Sequence, residues 1–140
     1  MNVVQKMMEN RIIVAGSRTF TGYNLVKKAL EQYICEHKAD KIIIVSGTAN
    51  GADKLGERFA EENSIELHRF PANWNFYGKR AGYVRNTQML DFAKKASGEA
   101  VLMAFWDGHS HGTKNMIDIA KDAGITVLIF KFNSISECQN

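Results

Sequence analysis

Three short stretches of glycine and small polar residues have the composition of phosphate-binding turns. They are residues 16–18 (G-S-R), residues 46–53 (S-G-T-A-N-G-A-D) and residues 107–113 (D-G-H-S-H-G-T). Each follows a short apolar run and precedes a run with helical spacing, so each is predicted to join a strand to a helix. Glycines let the backbone approach a ligand closely, and the free N–H groups at the start of a helix favour an anion. The sequence therefore predicts a site for a nucleotide or a nucleotide derivative.

Several side chains in these loops suit a phosphate-bearing ligand. The hydroxyls of Ser17, Ser46 and Ser110 are expected to donate to phosphate, because none of these serines lies in the G-x-S-x-G pattern of a nucleophile. Arg18 would add a charge-assisted hydrogen bond. The other candidate ligand-binding residues in the loops are Gly16, Gly47, Gly51, Gly112 and Thr113.

Two carboxylates and three aromatic residues are candidates for either a functional or a purely structural role. Asp53 and Asp107 lie nearest the glycines, where they would bind ribose hydroxyls or act as acid or base, or only cap the following helices. They are the candidate catalytic residues if a reaction occurs. Trp74, Tyr77 and Trp106 would stack on a base or close over the ligand, or simply pack in the core.

Arg85 stands out by its position on a predicted helix. Polar residues of this helix fall on one stripe, which leaves Arg85 on the opposite, apolar arc and predicts that its side chain points inward. A guanidinium is costly to bury without an anionic partner, so we favour a functional role over an arginine that snorkels at the edge of the core. The stripe consists of Arg80, Thr87, Asp91 and Lys94.

Other common sites are not indicated. Neither G-x-x-x-x-G-K-[ST] nor G-x-G-x-x-G occurs, which disfavours a P-loop ATPase and an ordinary dinucleotide oxidoreductase. His109 and His111 have no third ligand in register, no H-E-x-x-H and no cysteine pair beside them. We expect neither a metal ion nor a cofactor, and we expect both histidines to be exposed loop residues.

Composition and charge limit the class of protein. The 140 residues suit one domain with one core, and 45% hydrophobic and 24% charged residues are ordinary for a globular protein. A formal charge of +3 is too small to indicate a nucleic-acid partner. Cys35 and Cys138 lack metal-ligand spacing, and the chain shows neither a signal-peptide pattern nor a membrane-length apolar run. We expect a cytoplasmic protein with no membrane partner, and homo-oligomerisation stays open.

Five strands and four helices are predicted around the loops. The strands cover residues 11–15, 41–45, 65–70, 100–106 and 126–130. The first helix follows Thr21 as its N-cap and runs to about residue 37, the second begins near residue 52, the third covers about residues 79–96, and the fourth stops at Gly124. Residues 73–78 (N-W-N-F-Y-G) are predicted to be a loop, and Glu57 is expected on the outward face of the second helix.

This alternation predicts an α/β fold, with a mostly parallel five-stranded sheet covered by helices on both faces. In such sheets ligands bind beyond the carboxyl ends of the strands, where the three loops would converge. We expect one domain over residues 11–131, an N-terminal extension over residues 1–10 and a C-terminal tail over residues 132–140.

Four motifs in order resemble the YspA family, a YpsA-related branch of the SLOG superfamily. They are I-I-V-A-G-S-R-T-F, V-S-G-T-A-N-G-A-D, F-P-A-N-W-x-x-Y-G-K-x-A-G-Y-V-R-N-x-x-M-L and F-W-D-G-x-S-x-G-T-x-N-M-I. The resemblance covers about residues 11–127 and implies a Rossmann-like, three-layer domain that binds nucleotides or nucleotide-derived ligands. The superfamily also holds cytokinin-activating phosphoribohydrolases and the DNA-processing protein A.

The phosphoribohydrolase branch carries R-K-x-x-M and P-G-G-x-G-T-x-x-E, and the similar stretches here are residues 85–89 and 107–116. The arginine, a glycine and the threonine of these motifs carry over, and Asn86 beside Arg85 is a further candidate ligand-binding residue. The acidic residue that assists glycosidic cleavage does not carry over, because Met116 occupies its position and a thioether cannot relay a proton.

Three functions follow as expectations. The first is binding of a nucleotide or nucleotide-derived ligand, such as an ADP-ribose-like molecule, in order to sense, sequester or process it. The second is an N-glycosidase of the nucleoside 5′-monophosphate phosphoribohydrolase type, with Asp107 or Asp53 in place of the missing acid. The third is a DNA-binding module similar to DNA-processing protein A. Whether the ligand is turned over stays open.

Overall fold

A parallel five-stranded sheet lies between two layers of helices in the computed structural model, which describes residues 7–133. The strands are β1 (Glu9–Gly16), β2 (Lys41–Ser46), β3 (Glu66–Arg69), β4 (Ala100–Trp106) and β5 (Thr126–Lys131). The helices are α1 (Tyr23–Glu36), α2 (Ala52–Glu62), α3 (Trp74–Tyr77), α4 (Ala81–Lys94) and α5 (His111–Asp122). The predicted α/β, Rossmann-like three-layer architecture is confirmed.

The strand order is β3-β2-β1-β4-β5, and all four neighbouring pairs are parallel. At the centre of the sheet, Ile12 of β1 lies opposite Ile44 of β2 on one side and Val101 of β4 on the other. The central strands read as continuous apolar runs because both of their faces are covered.

Two apolar clusters fill the space above and below the sheet. Ile12 and Val14 point to the layer formed by α1 and α2, where Phe59 packs against them. Ile13 and Ala15 point the other way, to the layer formed by α4 and α5. Side chains of a strand alternate between faces, so β1 contributes to both cores.

The chain reverses its direction across the sheet next to β1. After β1 it proceeds to β2 and β3 on one side, and it then crosses to β4 and β5 on the other. The helices that follow β1 and β4 therefore lie on opposite faces, and a crevice opens between the carboxyl ends of these two strands.

Two boundary predictions were wrong. Thr21 is not the N-cap of α1, because the helix begins at Tyr23 with Gly22 as its N-cap and no side-chain capping bond. The third strand is shorter than predicted, since only Glu66–Arg69 pairs with β2. An edge strand with one neighbour ends where its ladder ends, which hydrophobicity alone does not reveal.

The aromatic segment after β3 was predicted as a loop, and this was wrong. Trp74–Tyr77 forms a short helix in which Asn73 Oδ1 accepts a hydrogen bond from the backbone N–H of Phe76 at 3.1 Å. A 3₁₀ turn over Gly78–Arg80 then leads into α4 at Ala81. A single helical turn is too short to show a period, so its capping residue was the only available signal.

Glu57 was predicted to face outward and is instead buried, with 6% of its surface exposed. Its carboxylate accepts hydrogen bonds from Ser46 Oγ at 2.6 Å and from Arg69 Nε at 3.0 Å. These partners at the ends of β2 and β3 satisfy the charge, which is what a buried carboxylate requires.

Residues on both borders of the predicted domain join the sheet or its core. β1 starts at Glu9, inside the predicted extension. Phe132 packs on Phe20 with ring centroids 4.7 Å apart, and its N–H donates to Trp106 O at 3.1 Å. Residues 1–6 and 134–140, including Cys138, lie outside the described residues. Within residues 7–133, no helix has the length and apolar character needed to cross a membrane.

Candidate functional site

A pocket of about 300 Å³, here called the main pocket, opens at the carboxyl ends of β1 and β4. All three small-residue loops reach it, and α4 forms one of its walls. Its lining residues are Ala15, Gly16, Arg18, Thr19, Ala49, Asp53, Arg85, Asn86, Met89, Asp107, Ser110, His111, Gly112, Thr113 and Met116. The structure therefore brings nine of the fourteen residues predicted to bind ligand to one cavity.

A second pocket of about 260 Å³, here called the side pocket, adjoins the main pocket. It is lined by Arg18, Gly47, Thr48, Ala49, Asn50, Pro71, Ala72, Trp74 and Arg85. Arg18, Ala49 and Arg85 border both pockets. The two cavities are thus adjacent parts of one cleft, and the two arginines line both of them.

Arg85 points from α4 towards the loop after β2, as its place on the apolar arc predicted. One of its Nη groups donates to Gly47 O, and its Nε donates to Asn86 Oδ1 at 3.1 Å. Burial and the nearby charge of Arg18 lower the pKa of Arg85, while Asp53 opposes both effects. A guanidinium keeps its charge in proteins even so, and Arg85 is a half-buried cation whose hydrogen-bond partners are neutral.

Asp53 is the buried acid of the main pocket, with 4% of its surface exposed. Its Oδ2 accepts a hydrogen bond from the backbone N–H of Ala49 at 3.2 Å. Burial raises the pKa of Asp53 to about 7, against the opposing effect of Arg85 and of the Ala49 N–H group. Asp53 is therefore poised to change its charge near neutral pH, in contrast to an ordinary surface aspartate.

Asp107 organises the loop between β4 and α5. Its Oδ1 accepts hydrogen bonds from the backbone N–H groups of His109 at 2.8 Å and Ser110 at 2.9 Å. Burial alone would raise the pKa of Asp107, but these bonds and the hydroxyls of Ser110 and Ser17 hold it below the usual value. Asp107 is a permanent carboxylate at neutral pH and fixes the loop as a capping residue would.

Ser17 is a buried link between two of the loops. Its side chain is 1% exposed, and its Oγ lies 2.8 Å from Ser110 Oγ. The N–H of Asp107 donates to the same Ser17 oxygen at 3.1 Å. Ser17 thus links the first loop (residues 16–18) to the third loop (residues 107–113), and it does not line the main pocket.

Four other predicted residues also lie outside the main pocket. Ser46 is fully buried and donates its hydroxyl to Glu57. Trp106 Nε1 donates to Ser110 O at 3.1 Å, so its ring supports the third loop. Gly51 packs on the backbone of the first loop, and Gly47 lines only the side pocket.

Asn86 ties α4 to α5 while it lines the main pocket. The side chain is buried, and its Nδ2 donates to Gly112 O at 3.1 Å and to Asn115 Oδ1 at 2.9 Å. These two hydrogen bonds hold the start of α5 at the pocket wall. The N-termini of α2 and α5 both face the cleft, where their dipoles favour an anion.

Some residues that line the main pocket were not predicted from the sequence. Thr19, Ala49 and Met89 stand within the quoted motifs but were not predicted to bind ligand, and only the folded chain brings them to the cavity. His111 is exposed as predicted and yet lines the main pocket. Trp74 had been weighed as a stacking residue and lies at the side pocket with 52% of its surface exposed.

Metal-ligating side chains are not gathered at the cleft. Within residues 7–133, no three His, Cys, Asp or Glu side chains come together in an arrangement that could hold a metal ion. Both histidines are exposed: His109 lies in the loop before α5, and His111 is the first residue of α5.

The sequence profile of the YspA, cpYpsA-related SLOG family matches residues 10–77 of the chain. The chain is also similar to the Gene 61 protein of Mycobacterium phage D29, with 34% identity over 128 residues that cover 86% of this chain and 95% of the phage protein. No solved structure gives a significant match. The SLOG family in general binds nucleotide-type ligands. The motifs, the fold and both matches agree, and the chain belongs to the YspA, cpYpsA-related SLOG family.

Proposed function

We propose that the main pocket binds a nucleotide or a nucleotide-derived ligand, such as an ADP-ribose-like molecule, and that the protein senses, sequesters or processes it in the cytoplasm. The phosphate lies between Arg18 and Arg85, and the sugar lies towards Asp53 and Asp107. The general ligand class of the SLOG family supports this proposal.

The observation that carries the proposal is the pair of arginines at the cleft. Among residues 7–133, neither Arg18 nor Arg85 forms an ion pair with a carboxylate, although both line the pockets. Arg85 gives its hydrogen bonds to neutral oxygens, and Arg18 is exposed at the rim. Two cations that form no salt bridge with a carboxylate, beside two helix N-termini, favour a phosphate group.

Calorimetric titration of ADP-ribose, AMP and adenosine tests the proposal. These ligands share the base and a ribose, and adenosine lacks the phosphate. We expect saturable binding of ADP-ribose or AMP and no measurable binding of adenosine. Equal affinity for AMP and adenosine, or no binding of any of the three, would contradict it.

An N-glycosidase is the second candidate function, and the raised pKa of Asp53 favours it. A general acid works best when its pKa lies near the working pH, and the pKa of Asp53 is about 7. Met116 lines the same pocket and cannot serve as an acid, so Asp53 is the residue that would protonate a leaving base. Chromatography of nucleoside monophosphates incubated with the protein tests this function. Release of free base by the unmodified protein but not by Asp53→Asn supports it. If the nucleotide stays intact after long incubation, binding is left as the function.

A further inference from the structure

The side pocket adjoins the main pocket at the two arginines. Arg18, Ala49 and Arg85 form part of both walls, so a phosphate held there has open space on two sides. Pockets for small molecules commonly measure about 300–1,000 Å³. The main pocket alone, at about 300 Å³, lies at the lower end of this range, whereas both pockets together lie well inside it.

The two pockets differ in the chemistry of their walls. The main pocket presents the carboxylates of Asp53 and Asp107 and the side chains of Ser110 and Thr113. Carboxylates and hydroxyls suit the hydroxyl groups of a sugar. Among residues 7–133, no carboxylate lies in the wall of the side pocket, which includes the indole of Trp74. An aromatic face suits the flat face of a base.

Trp74 is held beside Arg85 at the junction. Trp74 Cη2 and Arg85 Nη2 each lie 3.8 Å from the point that a Cβ on Gly82 would occupy. The helical turn that carries Trp74 is fixed by the Asn73 cap at its start. The indole is 52% exposed, so a large part of the ring is available for contact.

We propose that the cleft takes a two-armed ligand of the nucleoside diphosphate ester class. The diphosphate lies between Arg18 and Arg85, the terminal sugar occupies the main pocket, and the base stacks on Trp74 in the side pocket. This assignment rests on the proposed function. It adds the shape of the ligand and the residue, Trp74, that contacts its base.

Competition calorimetry with ADP-ribose and ribose 5-phosphate tests the assignment, because ribose 5-phosphate keeps the sugar and a phosphate but lacks the base. Trp74→Ala is expected to weaken ADP-ribose binding by about 5- to 150-fold, the range for loss of one base stack. The same variant should leave the competition constant of ribose 5-phosphate unchanged. Trp74→Phe should retain most of the ADP-ribose affinity, since a phenyl ring still stacks.

Phe76→Ala is the matched control, because Phe76 lies on the same helical turn, is 77% exposed and lines neither pocket. Unchanged ADP-ribose binding by Trp74→Ala, an equal loss for both ligands, or failure of ribose 5-phosphate to compete would overturn the two-armed assignment and leave the proposed function standing. Absence of ADP-ribose binding by the unmodified protein would also overturn the two-armed assignment, and absence of both ADP-ribose and AMP binding would overturn the proposed function as well.

Discussion

At the scale of single residues, the cleft combines a cation and an acid that respond to each other. Arg85 reaches from α4 to the loop after β2, and Asp53 stands at the first turn of α2. A Cβ on Gly47 would lie 2.9 Å from Arg85 Nη1 and 2.9 Å from Asp53 Oδ2, so both groups border one glycine. The absence of a side chain at Gly47 allows them to share this space.

Ionisation of Asp53 is expected to weaken ligand binding. Its pKa is about 7, so the carboxyl is mostly neutral below this value and negatively charged above it. A diphosphate diester keeps a constant charge in this range, and the ionised carboxylate would repel it and compete for Arg85. We expect the affinity for ADP-ribose to fall by about tenfold between about pH 6 and about pH 8, equivalent to about 1.4 kcal/mol. Calorimetry across this range measures the slope.

Asp53→Asn should flatten this pH dependence, because an amide does not ionise. His111 also lines the main pocket, but it is exposed whereas Asp53 is buried. His111→Gln is therefore the control, and it should keep the slope. If Asp53→Asn retained the full slope, the assigned ionisation would be wrong.

At the scale of the elements, glycines hold the loops against one another. Gly51 has φ of +82° and ψ of −129°, a backbone conformation that is close to exclusive to glycine. A Cβ at this position would lie 2.2 Å from Ser17 O and 2.6 Å from Arg18 C. The first and second loops are therefore packed backbone on backbone, which fixes where α2 begins.

Gly51→Ala is expected to destabilise the protein by at least about 2 kcal/mol, from backbone strain and from the collision with the first loop. Urea unfolding followed by circular dichroism measures the loss. Gly112→Ala is the matched control, because a Cβ there meets no atom within 4 Å and the residue is helical. It should stay within about 0.5 kcal/mol of the unmodified protein or be more stable. Equal stability of the two variants would refute the packing argument.

Periodicity predicted the elements that bury apolar faces and missed those defined by polar contacts. The run at residues 100–106 predicted β4 with its observed bounds, since both of its faces are buried. Glu57 was misplaced because a helical stripe cannot reveal a partner such as Ser46, which lies on another element. The cap at Asn73 shows the same limit, because one turn of helix has no period.

The site was predictable as far as it depends on loops at strand ends. Parallel strands bring their carboxyl ends to one edge, so Arg18, Asp53 and Asp107 were expected to meet, and they line one pocket. Ser17 and Ser46 have the residue type of phosphate ligands and yet bond to protein groups. Only three-dimensional packing decides whether a hydroxyl faces the cavity or the core.

At the scale of the whole molecule, the charge is modest and the cations are distributed. The net charge is +3, and some of the lysines and arginines are paired with acids, as in Lys114 with Asp118 at 2.8 Å and Arg58 with Glu62 at 3.0 Å. A net charge this small gives little long-range attraction for a polyanion.

A single-stranded DNA oligonucleotide should therefore bind no more tightly than a non-specific ligand, with Kd of about 10⁻⁶–10⁻⁴ M or weaker at physiological salt. Fluorescence anisotropy of a labelled oligonucleotide at about 50 mM and about 200 mM salt measures this affinity. Tight binding that weakens steeply with salt would instead favour the DNA-binding alternative.

The cleft at the switch point of the sheet is expected to bind a phosphate through Arg85. Titration of ADP-ribose into Arg85→Ala and Arg80→Ala tests it most directly, with circular dichroism to verify the fold of both. Arg80 is exposed on the turn before α4 and lines neither pocket. Arg85→Ala should lose about 2–5 kcal/mol of binding free energy, Arg85→Lys should recover only part of it, and Arg80→Ala should bind nearly normally. Equal weakening by both alanine variants would indicate a diffuse basic surface and would contradict the account.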